Sequence, residues 1–393
     1  MKGAGIILKK TSVILIMLFT VFFPINTMAI ADDEIIEQQL EMIDKSEFDT
    51  FVNRLNYDYK DYIPQYSLNE LIKVIRGQKS YDFKSLLKGI TEYFVREISI
   101  NLHLLGELIT LSIICAILKN VQSAFENDNI EKVTYGFVFL VLSTIAIQSF
   151  NLALNIGKDA IDQMVSIIQA LMPIILTLLA SVGGMTSVAV FNPLIFIGIT
   201  ISSMWIRNIL LPIIYFVAVL GLISNFSEHL HVSALSTLLK QICVFLLGLF
   251  LSTFLGILVV QGAAASVVDG ISIRTAKFAS KNFIPIVGGI FSDTVDTIVS
   301  CSLILKNTIG FTGLIIILLT ILFPIIRILT IVFIYKLAGA IIQPLGEETM
   351  VKCLDNMASH ITFIAITVGS VALMFFVAIT VIIASGNITV MMR

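Results

Sequence analysis

The chain has 393 residues, 57% of them apolar and only 13% charged, with a mean hydropathy of +0.97. A soluble domain carries about 25% charged residues, so too little polar surface remains here to coat a water-facing globule, and lipid is the solvent that fits. The net charge of −2 leaves no basic stripe, which argues against nucleic acid as a partner.

Lys2, Lys9 and Lys10 form a positive start, an apolar run follows from Val13 to Ile25, and Ala29-Ile30-Ala31 precedes Asp32-Asp33-Glu34. That is the pattern of a secretory signal over residues 1–31, cleaved after Ala31; an uncleaved first anchor is the alternative. Either way residue 32 begins on the non-cytoplasmic side.

Residues 32–97 hold 14 Asp/Glu and 9 Lys/Arg, against 13 of each over 98–393. A short extracytoplasmic segment therefore precedes a long membrane domain, and it reads as amphipathic helices. Ser46 and Asp49 open one, ahead of Phe48, Phe51, Val52 and Leu55. Ser67 and Glu70 open a second, with Leu68, Leu71, Ile72 and Ile75 on one face and Gly77 at its end. Tyr57, Tyr59, Tyr62, Pro64 and Tyr66 connect them, and a third stretch, Leu86 to Val95, leads into the membrane. Sixty-six residues make a marginal core alone, so this segment is expected to pack on the membrane part or on a partner; a solvated spacer is the plainer alternative.

Residues 98–393 read as an all-α, polytopic membrane domain with about eight transmembrane helices, near 98–118, 133–155, 187–206, 208–224, 241–262, 309–326, 327–343 and 360–385. The last two of the 309–343 region are split at Arg327, because about 34 apolar residues exceed one straight span. Stretches 164–182 and 282–304 are apolar but interrupted by Pro and Gly. Lys119 and Lys132 favour a cytoplasmic first loop.

An internal repeat is suggested, with units 160–262 and 272–385. Pro173 and Pro285 lie 112 residues apart in matching apolar flanks, as do Pro212 and Pro324, and glycine pairs Gly183-Gly184 and Gly288-Gly289 follow. Gly/Pro-broken segments in corresponding halves point to a pore or binding site, since freed backbone groups are tolerated only against protein or water. The segment from Asp269 through Arg274, Lys277, Pro285, Gly288, Gly289, Asp293 and Asp296 is too polar for an ordinary span and too apolar for a loop. It reads either as a re-entrant or interfacial hairpin lining water, with Asp293 and Asp296 on one helical face, or as an amphipathic helix on the surface.

His103 and Glu107 are spaced i, i+4 in the first span, as a cavity-lining pair or a buried pair locking helices. Arg207, Arg327 and Lys336 fall near span ends, where they can snorkel. Glu228, His229 and His231 read as a polar loop rather than a metal site, and Cys115, Cys243, Cys301 and Cys353 as packing residues. No phosphate-binding loop, HExxH or G-x-S-x-G is present, so no catalytic residue and no cofactor is expected.

Asp269-Gly270-Ile271-Ser272-Ile273-Arg274-Thr275-Ala276-Lys277, running into Asn282-Phe283-Ile284-Pro285-Ile286-Val287-Gly288-Gly289, together with Gln343-Pro344-Leu345-Gly346 and Asp355, resembles the stage III sporulation protein AE family of endospore-forming bacteria. The resemblance covers about 32–393. It implies a non-enzymatic place in the multiprotein channel joining mother cell and forespore, in the mother-cell-derived outer forespore membrane, supporting late forespore gene expression. Implied partners are the ATPase protein AA, small membrane proteins and ring-forming proteins AG and AH, and through AH the stage II sporulation protein Q. Rival readings are a stand-alone secondary transporter and a non-conducting membrane scaffold.

Overall fold

The computed structural model of the protein describes residues 46–63, 83–123, 128–226, 232–283, 287–345 and 348–392. The secretory-signal pattern, the Ser67–Gly77 helix, the 228–231 loop and Pro285 lie outside these residues. Among the described residues no strand occurs. The helices are α1 (Ser46–Asp58), α2 (Phe83–Ile100), α3 (Leu102–Ser123), α4 (Asp128–Ser181), α5 (Met185–Trp205), α6 (Leu211–Phe226), α7 (Ser233–Phe283), α8 (Val287–Ile342) and α9 (Glu348–Met391). A π turn, Ile206–Leu210, joins α5 to α6 without a break, and a 3₁₀ turn, Gln343–Leu345, follows α8.

The all-α multispan architecture agrees with the sequence, and the described residues hold five or six candidate spans against the expected eight or so. Among the described residues five stretches are long and apolar enough to cross a membrane: Gly136–Ser181, Met185–Ser224, Ser233–Ala279, Asp296–Ile342 and Glu348–Met391. A sixth arises if α2 and α3, bent by 43° at Asn101, act as one. Runs read apart join in continuous helices: the span 133–155 with the interrupted stretch 164–182, the spans 187–206 and 208–224, and the spans 309–326 and 327–343. No turn forms at Arg327, and the described residues of the 269–310 segment belong to the end of α7 and the start of α8.

The interruptions fail to break the helices for local reasons. Pro173, Pro193 and Pro324 sit inside α4, α5 and α8. Each proline removes one backbone bond, whereas a break would orphan many. Pro212 is the second residue of α6, two positions past the π turn, whose wider winding makes room for the ring. The charges read as span ends are paired: Arg207 with Asp162 at 2.9 Å, Arg327 with Glu97 at 3.7 Å and Lys336 with Asp355 at 2.9 Å.

At about 1.5 Å per residue, stretches of 40 to 47 residues run some 60–70 Å, about twice the ~30 Å hydrocarbon core of a bilayer. They form one bundle. Lys336–Asp355 at one end and Lys306 against Ile383 towards the other make α8 and α9 an antiparallel hairpin. Gly157 against Ile364, and Leu179 against Gly386, run α4 parallel to α9. Val217–Ser236 and Ser187–Asp269 run α5–α6 antiparallel to α7. The α4–α5 turn, the end of α7, the start of α8 and the end of α9 therefore gather at one end of the bundle.

The N-terminal segment docks on this bundle. Val52 and Leu55, from the expected apolar face of α1, are buried, and Phe51 packs beside them. The Tyr59 ring stacks on Phe323 of α8 with centroids 3.8 Å apart and planes 9° apart, and Tyr93 meets the same ring edge-on at 4.9 Å. The expectation that this segment packs on the membrane part holds for its described residues.

Burial, reinforced by the Asp58 carboxylate, raises the Tyr59 phenol from 10.0 to about 12. The undocked phenol ionises first, so docking is at full strength below pH 10 and weakens as pH rises towards about 12. Absorbance titration is expected to show one phenol ionising near the upper value, and that signal is expected to vanish in Tyr59→Phe. A Tyr59→Phe chain that retained it would refute the assignment.

Candidate functional site

The gathered end of the bundle holds a buried polar cluster contributed by four helices. It starts from a local deficit. Gly184 stands at the N-cap of α5 and has no side chain to accept from the first-turn N–H groups. Asp269, on α7 and 2% exposed, supplies the missing acceptor. The Thr186 N–H donates to its Oδ1 at 2.7 Å and the Ser187 N–H to its Oδ2 at 2.8 Å. A carboxylate at a helix N-terminus also faces the positive end of the helix dipole. The turn into α5 uses Gly183 at φ +91°, a left-handed conformation suited to glycine, and a Cβ there would meet Ile273 Cδ1 at 2.5 Å.

Around this cap lie hydroxyls from three helices. Ser385 of α9 donates to Ser187 Oγ at 3.2 Å, and the Ser266 hydroxyl of α7 is hydrogen-bonded to that of Ser385 at 2.5 Å, where either oxygen can donate. Thr389 donates to the Ser385 carbonyl at 3.1 Å. One turn away, Lys306 of α8 is fully buried; its ammonium donates to the Ile383 carbonyl at 2.7 Å and more weakly to Asn387 Oδ1 at 3.4 Å. Gly386 makes room for it, because a Cβ at that position would overlap the Lys306 Nζ. The cluster fastens α5, α7, α8 and α9 by polar contacts where lipid and side-chain packing alone would leave charged and hydroxyl groups unpaired.

The sequence-derived candidates distribute unevenly over this arrangement. Gly183, Gly184 and Asp269 come together at the cap. Lys277 pairs with Asp296 across the ends of α7 and α8, and Arg274 is exposed nearby. Gly288, Gly289 and Asp293 fall within α8. Pro173 lies exposed on α4, away from the cap. His103 and Glu107 do meet, at 3.3 Å, but the His103 side chain is 85% exposed, so the pair neither lines an interior cavity nor locks helices. Ser187, Ser266, Ser385 and Thr389 escaped the sequence reading, and Lys306 reads there only as one of a basic loop cluster with Arg274, Lys277 and Lys281, not as a buried residue. A lysine inside an apolar run was the available signal for Lys306; isolated Ser and Thr in spans give none, because hydroxyls bond their own helix equally well. His360 was also missed: it is 4% exposed against Gly221, and neither ring nitrogen has a hydrogen-bond partner among the described residues.

Among the described residues no group of three or more His, Cys, Asp or Glu could hold a metal ion, and the four cysteines are buried and form no disulfide. The packing role expected for the cysteines fits this burial.

A family model described as stage III sporulation protein AE matches residues 66–386. The curated Stage III sporulation protein AE of Bacillus subtilis (strain 168) is 41% identical over 361 residues, covering 92% of this chain and 90% of that relative. No solved structure matches.

Asp269→Ala leaves two buried N–H groups without an acceptor and is expected to cost about 1–3 kcal/mol, read as a lower Tm of the detergent-solubilised chain. Asp269→Asn keeps one amide oxygen and is expected to lose less; equal losses would count against the capping role. Lys306→Met removes a buried cation at similar length, and its Tm is expected to hold or rise. A large fall in Tm would show that the ammonium's bonds to Ile383 and Asn387 outweigh its desolvation.

Proposed function

This chain belongs to the stage III sporulation protein AE family, and from that premise we propose that it is a membrane-embedded component of the channel complex linking mother cell and forespore. In this reading it resides in the mother-cell-derived outer forespore membrane, reached by way of the signal-like residues 1–31. It works with other stage III proteins: the ATPase AA, the small membrane proteins and the ring proteins AG and AH, and through AH with stage II sporulation protein Q. Its task is to sustain late forespore gene expression and spore development.

The observation that carries the reading is the match over nearly the full length of both sequences. The structure adds physical support. Tyr335, Phe150, Phe191, Phe323 and Phe375 are all below 2% exposure, so bulky side chains pack closely inside the described bundle. A carrier acting alone needs an interior site reached alternately from two sides; a component of a larger assembly does not. The lack of a phosphate-binding loop fits the same division of labour, with energy supplied by a partner.

Deleting the gene in its sporulating host is expected to abolish a late forespore-specific reporter after engulfment and to collapse forespores, with vegetative growth unchanged. Normal sporulation in the deletion strain would remove this reading and favour transport assays on the purified chain in liposomes.

A further inference from the structure

α4 carries a polar stripe in the middle of an apolar protein. Asn151, Asn155, Asp159, Asp162, Ser166, Gln169, Pro173, Thr177 and Ser181 follow one another at spacings of three or four, which is one face of a helix. Asp162 and Ser166 are half-buried; the other seven are exposed. The large apolar side chains that α4 exposes are Phe137, Leu140 and Leu152, and none follows Leu152 as far as Ser181. The stripe runs about 45 Å at ~1.5 Å per residue. α7, of comparable length, does the opposite: it exposes Leu238, Phe245, Leu249, Ile257, Val260 and Phe278.

Three observations make this stripe unsuited to lipid. Asp162 bonds Arg207 of the π turn at 2.9 Å with side chains 41% and 53% exposed, and a half-exposed ion pair facing acyl chains is expensive. Pro173 lacks the N–H that would bond the Gln169 carbonyl, so that carbonyl lies on an exposed face short of its helical donor. Gln169, Asn155 and Asn151 each present an amide, with donors and acceptors that hydrocarbon cannot satisfy. Ser166, Thr177 and Ser181 hydroxyls donate to carbonyls four residues back, which leaves their oxygens free to accept from outside.

We propose that the α4 face from Asn151 to Ser181 lines a water-filled path for small hydrophilic solutes, with the remaining walls supplied by other chains of the complex. The inference rests on the channel-component reading and names the surface that would serve it. Polar backbone and side chains at membrane depth are stable where they line a water-filled cavity. The proposed path runs along this exposed face, on the outside of the chain. The stripe is uncharged apart from Asp159 and the paired Asp162, so it suits hydrated small solutes of either sign better than a selective ion filter.

The test is single-cysteine accessibility in membranes isolated from sporulating cells, using the full chain, whose own four cysteines are buried. Asn155→Cys, Gln169→Cys, Thr177→Cys and Ser181→Cys sample the stripe; Phe245→Cys, Leu249→Cys and Val260→Cys sample α7. The probe is a charged, water-soluble methanethiosulfonate, which reacts with thiolates and hence with thiols in water. Stripe positions are expected to react at least about tenfold faster than α7 positions. Equal rates, or slow reaction along the whole stripe, would overturn the proposal, and slow reaction together with lost reporter activity in Gln169→Leu would identify the stripe as a dry seat for a partner helix. The readouts separate the two hypotheses. A reporter lost on gene deletion with an unreactive stripe leaves the channel role and removes this path; a reactive stripe with normal sporulation does the reverse.

Discussion

The backbone's need for hydrogen-bond partners where water is scarce governs the rest of this structure. Breaking a helix orphans up to four N–H and four C=O groups at the new ends, at about 2–7 kcal/mol for each group left unpaired in an apolar setting. A proline inside a helix costs about 3 kcal/mol. Continuity wins at every such position: α4 passes through Pro173, α5 through Pro193 and α8 through Pro324. Charges obey the same accounting. Arg207 and Arg327 stay within continuous helices because Asp162 and Glu97 neutralise them in place.

Where the chain must turn between α4 and α5, the same constraint dictates the solution. Gly183 provides the left-handed residue and Gly184 the open N-cap, and the unpaired donors of α5 are met by Asp269 from 83 residues away. A side chain on a different helix therefore does what a Ser or Asp at the cap would do locally. This converts a local requirement into a tertiary tie between α5 and α7. The Ser187–Ser385–Ser266 hydroxyls extend that tie to α9.

Much of this was legible in the sequence, and the illegible part has physical causes. Composition gave the all-α membrane class, and the spacing of Phe51, Val52 and Leu55 gave the docking face of α1. Gly183-Gly184 and Asp269 were each recognisable as unusual, but their partnership depends on antiparallel packing of α5 against α7, which a single chain's periodicity does not encode. Runs joined in continuous helices read apart in the sequence because Arg327, Pro173 and Arg207 read as boundaries. Such residues end helices in water, where the freed groups find solvent, and not in a bundle that offers ion-pair partners. The α4 stripe was overlooked for a different reason: hydropathy averaged along 164–182 is dominated by the buried Leu and Ile of the other faces, and averaging erases the angular information that separates Gln169 and Thr177 from them.

The distribution of polarity around the bundle bears on how the chain is placed. α5 and α9 each pack on both α4 and α7, so the polar face of α4 and the apolar face of α7 belong to one bundle. The bundle is thus amphipathic as a whole, much as a single surface helix is. A chain bathed in lipid on all sides has no use for such asymmetry, and a water-soluble one could not tolerate the α7 face. An amphipathic bundle fits a position with lipid on one side and an aqueous or protein-lined space on the other. The stripe ends at Ser181, two residues before Gly183, so its terminus abuts the turn that Asp269 holds shut and that Lys306 lies close to. Any movement of α5 against α7 that opened the cap would also reshape the end of the polar face, coupling the most constrained turn in the protein to the surface proposed to meet water.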